Sequence, residues 1–465
     1  MDGEIDIRAQ NPFLRGNFAP LRSEDDFELE AKGAWPEELS GTLYRIGPNP
    51  QFDPTDKRYH WFGGDGMVHA FDIAKGAVRY RNRYVRTPRW QTEHAAGRVL
   101  YGVMGNPMTT DPSVMGTDSG VANTNIMLHA GRLLALEEAH APFEVAIDDL
   151  SPVGYRDFGG KVTAHPKVDP RTGEMVFFAY ADDQTPLSNK VSWGVADADG
   201  VLKKRETFEA PYCSMIHDFA LTDRFVVLPV LPLTGDLSRA MGGKPPFAWE
   251  PEKGAMLTII DRERGVESLR WAKVSAGYAF HVTNAWDQGD TVIVDVMRYP
   301  QAPFFPLADG SPGKETGAVS LRWTIDLSGD EPVATETVLD DLAGEFPRID
   351  ERRAQVPHGH AWFSGQARRP GDIRGDCLAH LDLQTGVRAV WTREGLGGVG
   401  EPVFTPKSAD AAEGEGWILT ILYWPREDYS ELAVFDALDV AAGPVATAPV
   451  PRRIPFGFHA NFVAA

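Results

Sequence analysis

Apolar residues either alternate with polar ones or gather in compact runs over residues 42–46, 175–180, 225–230, 291–297, 417–423 and 431–435. A period of two puts successive side chains on opposite faces of an extended chain, so each segment predicts a strand. Between such segments lie Ala74-Lys-Gly76, Asp169-Pro-Arg-Thr-Gly173, Asp197-Ala-Asp-Gly200 and Asp382-Leu-Gln-Thr-Gly386. Each ends in a glycine that can supply the positive φ a hairpin turn needs. Helical periodicity is scarce, and the short helices expected at 236–241 and 408–413 read as loop decoration.

Many short strands, frequent tight turns and no βαβ rhythm make the chain all-β, which leaves a sandwich array, a large barrel or a propeller. No clean repeat of about 40–50 residues and no WD signature chooses among them. Nothing like a Pro/Ser linker interrupts the sequence. Residues 1–465 are therefore expected to form a single domain, with residues 1–10 a disordered N-terminus.

Composition narrows the partners. With 43% of residues apolar, the chain can bury a large core in spite of its 46 glycines and 35 prolines. A formal net charge of −20 repels phosphates and anionic head groups, which argues against a nucleic acid and for a neutral or apolar partner. Cys213 and Cys377 are the two cysteines, with no C-x-x-C spacing, and read as reduced thiols of a cytoplasmic protein. The first residues lack the basic and apolar regions of a signal peptide, and no apolar run approaches the ~18–20 residues a spanning helix requires.

Of twelve histidines, four share a setting of apolar or small neighbours. They are His165 in Thr163-Ala-His-Pro166, His217 in Met215-Ile-His-Asp-Phe219, His281 in Ala279-Phe-His-Val282 and His459 in Phe456-Gly-Phe-His-Ala460. Gaps of 52, 64 and 178 residues exclude a local ligand motif, so a shared site would have to be assembled by tertiary structure. Taken singly, a histidine in such a setting is more often a satisfied core residue. The His358-Gly-His360 pair is a further metal candidate, and His60, His69, His94, His129, His140 and His380 carry no assignment.

The four segments resemble, in order, the ligand positions of carotenoid cleavage oxygenases. Gly41-Thr-Leu-Tyr-Arg-Ile-Gly-Pro-Asn-Pro50, Trp61-Phe-Gly-Gly-Asp-Gly-Met67, Ala122-Asn-Thr-Asn125, Leu133-Leu-Ala-Leu-Glu-Glu138, Gly344-Glu-Phe-Pro347 and Gly400-Glu-Pro-Val-Phe404 are similar to that family's other signatures. The resemblance runs from residue 11 to residue 459. It implies a seven-bladed β-propeller with a cap of loops and short helices over an axial Fe(II), one per chain, held by His165, His217, His281 and His459. It further implies that Glu138, Glu345 and Glu401 accept the Nδ1–H of ligand imidazoles, paired with His217, His281 and His459. Thr124 would crowd one of two open coordination positions. The implied reaction is cleavage of a conjugated C=C bond by O2 into two carbonyl products. No organic cofactor is needed, in keeping with the absence of a G-x-G-x-x-G or G-x-x-x-x-G-K-[ST] motif.

One branch of the family takes carotenoids and apocarotenoids, another stilbenes and phenylpropenes. In the second, a tyrosine and a lysine immediately before the first of these glutamates gather the phenolic oxygen. Tyr101 is a candidate for that tyrosine, but Glu137 stands at the lysine position. A carboxylate facing a phenolate reverses the sign of the interaction, which favours a carotenoid or apocarotenoid over a stilbene. Tyr101 and Glu137 are thus the candidate substrate contacts. Val227-Leu-Pro-Val-Leu-Pro-Leu233 and Tyr299-Pro-Gln-Ala-Pro-Phe-Phe-Pro-Leu307 are expected to be proline-studded loops that form an apolar entrance and touch a membrane surface. The competing reading from another class is a non-catalytic propeller that displays a binding face.

Overall fold

The computed structural model describes residues 7–104, 106–369 and 375–465. Among the described residues, seven sheets of four or more strands follow one another along the chain, with a small two-stranded sheet of Leu233–Gly235 and Phe247–Trp249 inserted in the fourth. In the first, Asp26–Leu29, Ala77–Tyr84, Gly66–Ala74, Gly41–Pro48 and Ala460–Ala464 lie side by side. The second to sixth are four-stranded meanders whose first strands are Asn125–His129, Lys167–Val168, Ala220–Leu221, Tyr278–Gln288 and Gly344–Arg348. The seventh orders Lys32–Gly33, Pro444–Val450, Tyr429–Asp436, Gly416–Trp424 and Gly398–Val399, with Val403–Pro406 also pairing to Gly416–Trp424. Seven such sheets in succession are the blades of a seven-bladed β-propeller, the expected fold.

The chain groups into two compact units, one of Met1–Asp157, Ile421–Leu432 and Ala446–Ala465, the other of Phe158–Thr420 and Ala433–Val445. In the second unit, Val176, Phe178, Trp193, Phe219, Leu228 and Ile260 form a core shared by the third and fourth sheets. In the first, Ile46, Val68, Ile126, Leu133 and Phe143 do the same for the first and second. Each such side chain contributes roughly 1.5–3 kcal/mol on burial.

Strand sequences follow from this packing. Met175–Tyr180 is buried along nearly all of its length, so its sequence is a continuous apolar run. Leu202–Glu209, the edge strand of the same sheet, carries Lys203, Lys204, Arg205 and Glu206, charges that discourage pairing with a second chain. All four expected turns form, and their glycines Gly76, Gly173, Gly200 and Gly386 have φ of 77°, 73°, 79° and 68°.

Several expectations are corrected. Residues 408–413 make hydrogen-bonded turns, not a helix, because Gly414 (φ 81°) follows and so short a segment cannot offset helix nucleation. Helix Leu237–Met241 does form, capped by the Asp236 side chain, which accepts from Arg239 N at 2.9 Å. A second helix, Pro88–Ala96, was not expected; Thr87 caps it, Pro88 opens it and Gly97 (φ 65°) ends it. Residues 227–233 are not an exposed loop but a fully buried stretch that includes most of the strand Phe225–Val230. Of the N-terminal stretch, Ile7–Gln10 forms a helical turn whose Arg8 pairs with Asp53 at 2.7 Å; residues 1–6 lie outside the described residues. Among the described residues, no helix is long and apolar enough to cross a membrane.

Candidate metal centre

Seven of the sequence-derived site residues fall at one recurring place, at or beside an edge strand of each blade, whereas Tyr101, Glu137 and Glu138 do not. Thr124 immediately precedes Asn125–His129, and His165 and His217 lie just before Lys167–Val168 and Ala220–Leu221. His281 and Glu345 sit within Tyr278–Gln288 and Gly344–Arg348, Glu401 lies between Gly398–Val399 and Val403–Pro406, and His459 immediately precedes Ala460–Ala464.

The four histidines meet. One ring nitrogen from each of His165, His217, His281 and His459 lies within 4.8 Å of the other three, and all four residues are buried. The Nε2 atoms of His165 and His217 face each other at 3.0 Å. A cation about 2.1 Å from two adjacent imidazole nitrogens holds them about 3 Å apart, so the donors fit a metal ion. Four imidazoles suit iron, zinc, copper or nickel and not magnesium or calcium.

The His281 Nδ1–H donates to Glu345 Oε2, which also accepts from Phe346 N at 2.9 Å. Burial pulls the His281 imidazole down, but the neighbouring Glu345 carboxylate more than offsets it and carries the ring above its ordinary value. Phe346 adopts φ 58° and its ring lies 5.2 Å from that of His281; strand pairing is irregular between Glu345 and Arg348. Such an irregularity re-aims a side chain, here Glu345 toward the imidazole. Glu401 pairs with the buried guanidinium of Arg348 at 3.4 Å. Sequence reasoning missed Arg348, whose partner is 53 positions away.

Thr124 is buried, donates its hydroxyl to Asn123 Oδ1 at 2.9 Å and accepts at its carbonyl from His459 N at 3.3 Å. Trp61 and Phe62 flank this segment, their rings 4.4 and 5.5 Å from that of Phe458. Phe280 likewise lies 5.0 Å from His217. Glu138 is half-buried in the bend after Arg132–Leu136.

Glu137 has a local duty. Its Oε1 accepts from Val121 N at 2.7 Å, from Ala122 N at 3.3 Å and from His140 Nδ1 at 3.0 Å. Burial raises its carboxyl, yet the His140 bond and these amides hold it below the ordinary value. Ala122 has φ 43°, so Glu137 braces the turn that leads into Thr124. The Tyr101 hydroxyl bonds to Thr117 Oγ1 at 2.8 Å, and the Arg89 guanidinium lies 5.2 Å from the Tyr101 ring.

His358 and His360 do not converge. His358 Nδ1 accepts from the Asn284 amide at 3.2 Å, whereas His360 Nδ1 bonds to His380 Nε2 at 3.1 Å. The two rings thus go to different neighbours, His358 lying ahead of the strand His360–Gly365 that carries the other, so the pair is no metal site.

The family model described as retinal pigment epithelial membrane protein matches residues 18–464. An isoeugenol monooxygenase of Pseudomonas nitroreducens is 35% identical, over 98% of this chain and 99% of its own. A carotenoid cleavage oxygenase of Mycobacterium tuberculosis is 32% identical over 98% of both chains. The solved lignostilbene dioxygenase of Pseudomonas brassicacearum superposes with a TM-score of 0.92 at 34% identity, covering 98% of this chain and 99% of that one. With this fold and four converging imidazoles, the chain belongs to the carotenoid cleavage oxygenase family and is an oxygenase.

Proposed function

We propose that this chain is a non-haem Fe(II) dioxygenase that cleaves a conjugated carbon–carbon double bond, one atom of O2 entering each of two carbonyl products. The observation that carries the reading is the meeting of four imidazoles from distant segments within 4.8 Å. His165, His217, His281 and His459 would hold one Fe(II), which when bound supplies the redox chemistry toward O2 that side chains lack. Glu345 keeps the proton of His281 on Nδ1 and so leaves Nε2 as the donor atom. Glu138 and Glu401 are proposed to serve His217 and His459 in the same way, offsetting the charge of the ion at one remove. Thr124 narrows the site beside His459, and the rings of Trp61, Phe62, Phe280 and Phe458 exclude water.

The substrate class supported best is a conjugated alkene bearing a phenolic ring, a phenylpropene or stilbene. Relatives named for such substrates match at 34–35% identity. The charge objection also weakens, because Glu137 is occupied by backbone amides and His140, and Arg89 places a cation beside Tyr101. A carotenoid or apocarotenoid is the second reading, favoured by relatives named carotenoid cleavage oxygenases at 32–34% identity. The proposed compartment is the cytoplasm, in keeping with the two buried free thiols Cys213 and Cys377.

A panel of hydroxystilbenes, 4-hydroxyphenylpropenes and apocarotenals, assayed with and without O2, tests both readings. Oxygen-dependent aldehydes labelled from 18O2 are expected, with the higher kcat/KM on phenolic alkenes. Turnover of apocarotenals alone would reverse the substrate order, and no turnover of any class would refute the activity.

A further inference from the structure

The rings of His165, His217 and His281 meet although their backbones belong to three different sheets. Convergence therefore depends on how three strand starts are held against one another, and one carboxylate does much of this. Asp218, the residue after His217, is buried. Its Oδ1 accepts from Phe219 N at 2.7 Å and from Lys167 Nζ at 2.8 Å, and its Oδ2 accepts from Val282 N at 2.8 Å. Lys167 stands two residues after His165, and Val282 follows His281. A single side chain thus bonds to all three segments within two residues of each imidazole.

Two further observations point the same way. Strand pairing is irregular between Ala279 and Val282, so the backbone bulges at His281, and the Val282 N–H beside the bulge goes to Asp218. Thr163 adds a second tie, since its hydroxyl accepts from His165 N at 3.2 Å and donates to His217 O at 3.4 Å. A buried ion pair is weak evidence for stability, because desolvation consumes most of the Coulombic gain; its better-attested use is to fix one arrangement among several. Here the arrangement at stake is register, and a slip of one residue would turn an imidazole to the opposite face.

We propose that Asp218, anchored by Lys167, is a positioning residue that sets the relative register of the three strand starts and thereby the metal affinity of the centre. This rests on the metal-centre reading above.

The test uses the full-length apo-protein titrated anaerobically with Co(II), reading affinity by competition with a chelator and geometry by the visible absorption bands. Asp218→Asn keeps the volume and removes the charge and one acceptor. It is expected to bind Co(II) about 10–100-fold more weakly, as when a partner that orients a ligand is lost, with altered bands. Lys167→Met, on the more exposed partner, is expected to weaken binding a few-fold and carries the test should Asp218→Asn fail to fold. Unchanged affinity and unchanged bands in the folded variants would overturn the proposal. A wild-type chain that takes up no Co(II) would instead overturn the metal-centre reading, and this inference with it.

Discussion

Two groups of largely buried histidines occupy this chain, and they differ in what their rings face. His165, His217, His281 and His459 turn their nitrogens toward one another, and His281 is backed by a carboxylate that holds it above its ordinary pKa. His358, His360 and His380 are packed among Asn284, Trp286, Trp362 and each other. Burial pushes His358 down to about 3 and His380 to about 4. Burial alone therefore does not make a ligand. Convergence with a carboxylate behind the ring does, because it fixes the tautomer and offsets the charge a metal brings.

The sharpest way to break this contrast is to delete one ring from each group. His281→Ala is expected to lose bound iron and lower kcat/KM by more than about 100-fold, beyond the range for loss of a supporting partner. His358→Gln is expected to retain iron at one per chain by elemental analysis. Equal iron loss in the two would erase the distinction. Next in size, Glu345→Gln keeps the shape but removes the charge behind His281, and a fall of about 10–100-fold in iron affinity is expected by chelator competition. Glu401→Gln should cost less, about tenfold, because Arg348 already shares that carboxylate.

The smallest effect concerns acid stability. His358 has a folded value of about 3, below the ~6.5 of an unfolded histidine, so the unfolded chain binds the extra proton between those values. Its contribution is fully present above pH ~6.5 and declines as pH falls toward 3, by about 1 kcal/mol at pH 5.5. Urea melts at pH 8 and 5.5 should show this decline shrinking in His358→Gln. An identical slope in both proteins would show that this histidine does not titrate as its burial dictates.

What could be read from the sequence was what depends on neighbours along the chain. The strands at 175–180 and 225–230 and the turn glycines Gly173 and Gly386 were legible because a compact apolar run and a required positive φ are local. The four histidines were legible only through a family resemblance, since no spacing in the chain shows that edge strands of different sheets bring them together. The contacts of Asp218, the Arg348–Glu401 pair and the use of Glu137 as a brace were hidden, being made across sheets or at a turn whose geometry the sequence does not show. Residues 227–233 misled in the other direction: proline there suggested a loop, yet Pro229 sits opposite Leu257 inside a buried sheet. Helix Pro88–Ala96 could have been found from Thr87, Pro88 and Gly97, the usual start and stop residues.

X-ray absorption of the apo-protein loaded anaerobically with one equivalent of Fe(II) tests the centre most directly. A first shell containing four imidazole nitrogens at about 2.1 Å, with the outer-ring scattering of imidazole, is the predicted result. Iron surrounded only by oxygen, or left in solution, would contradict it.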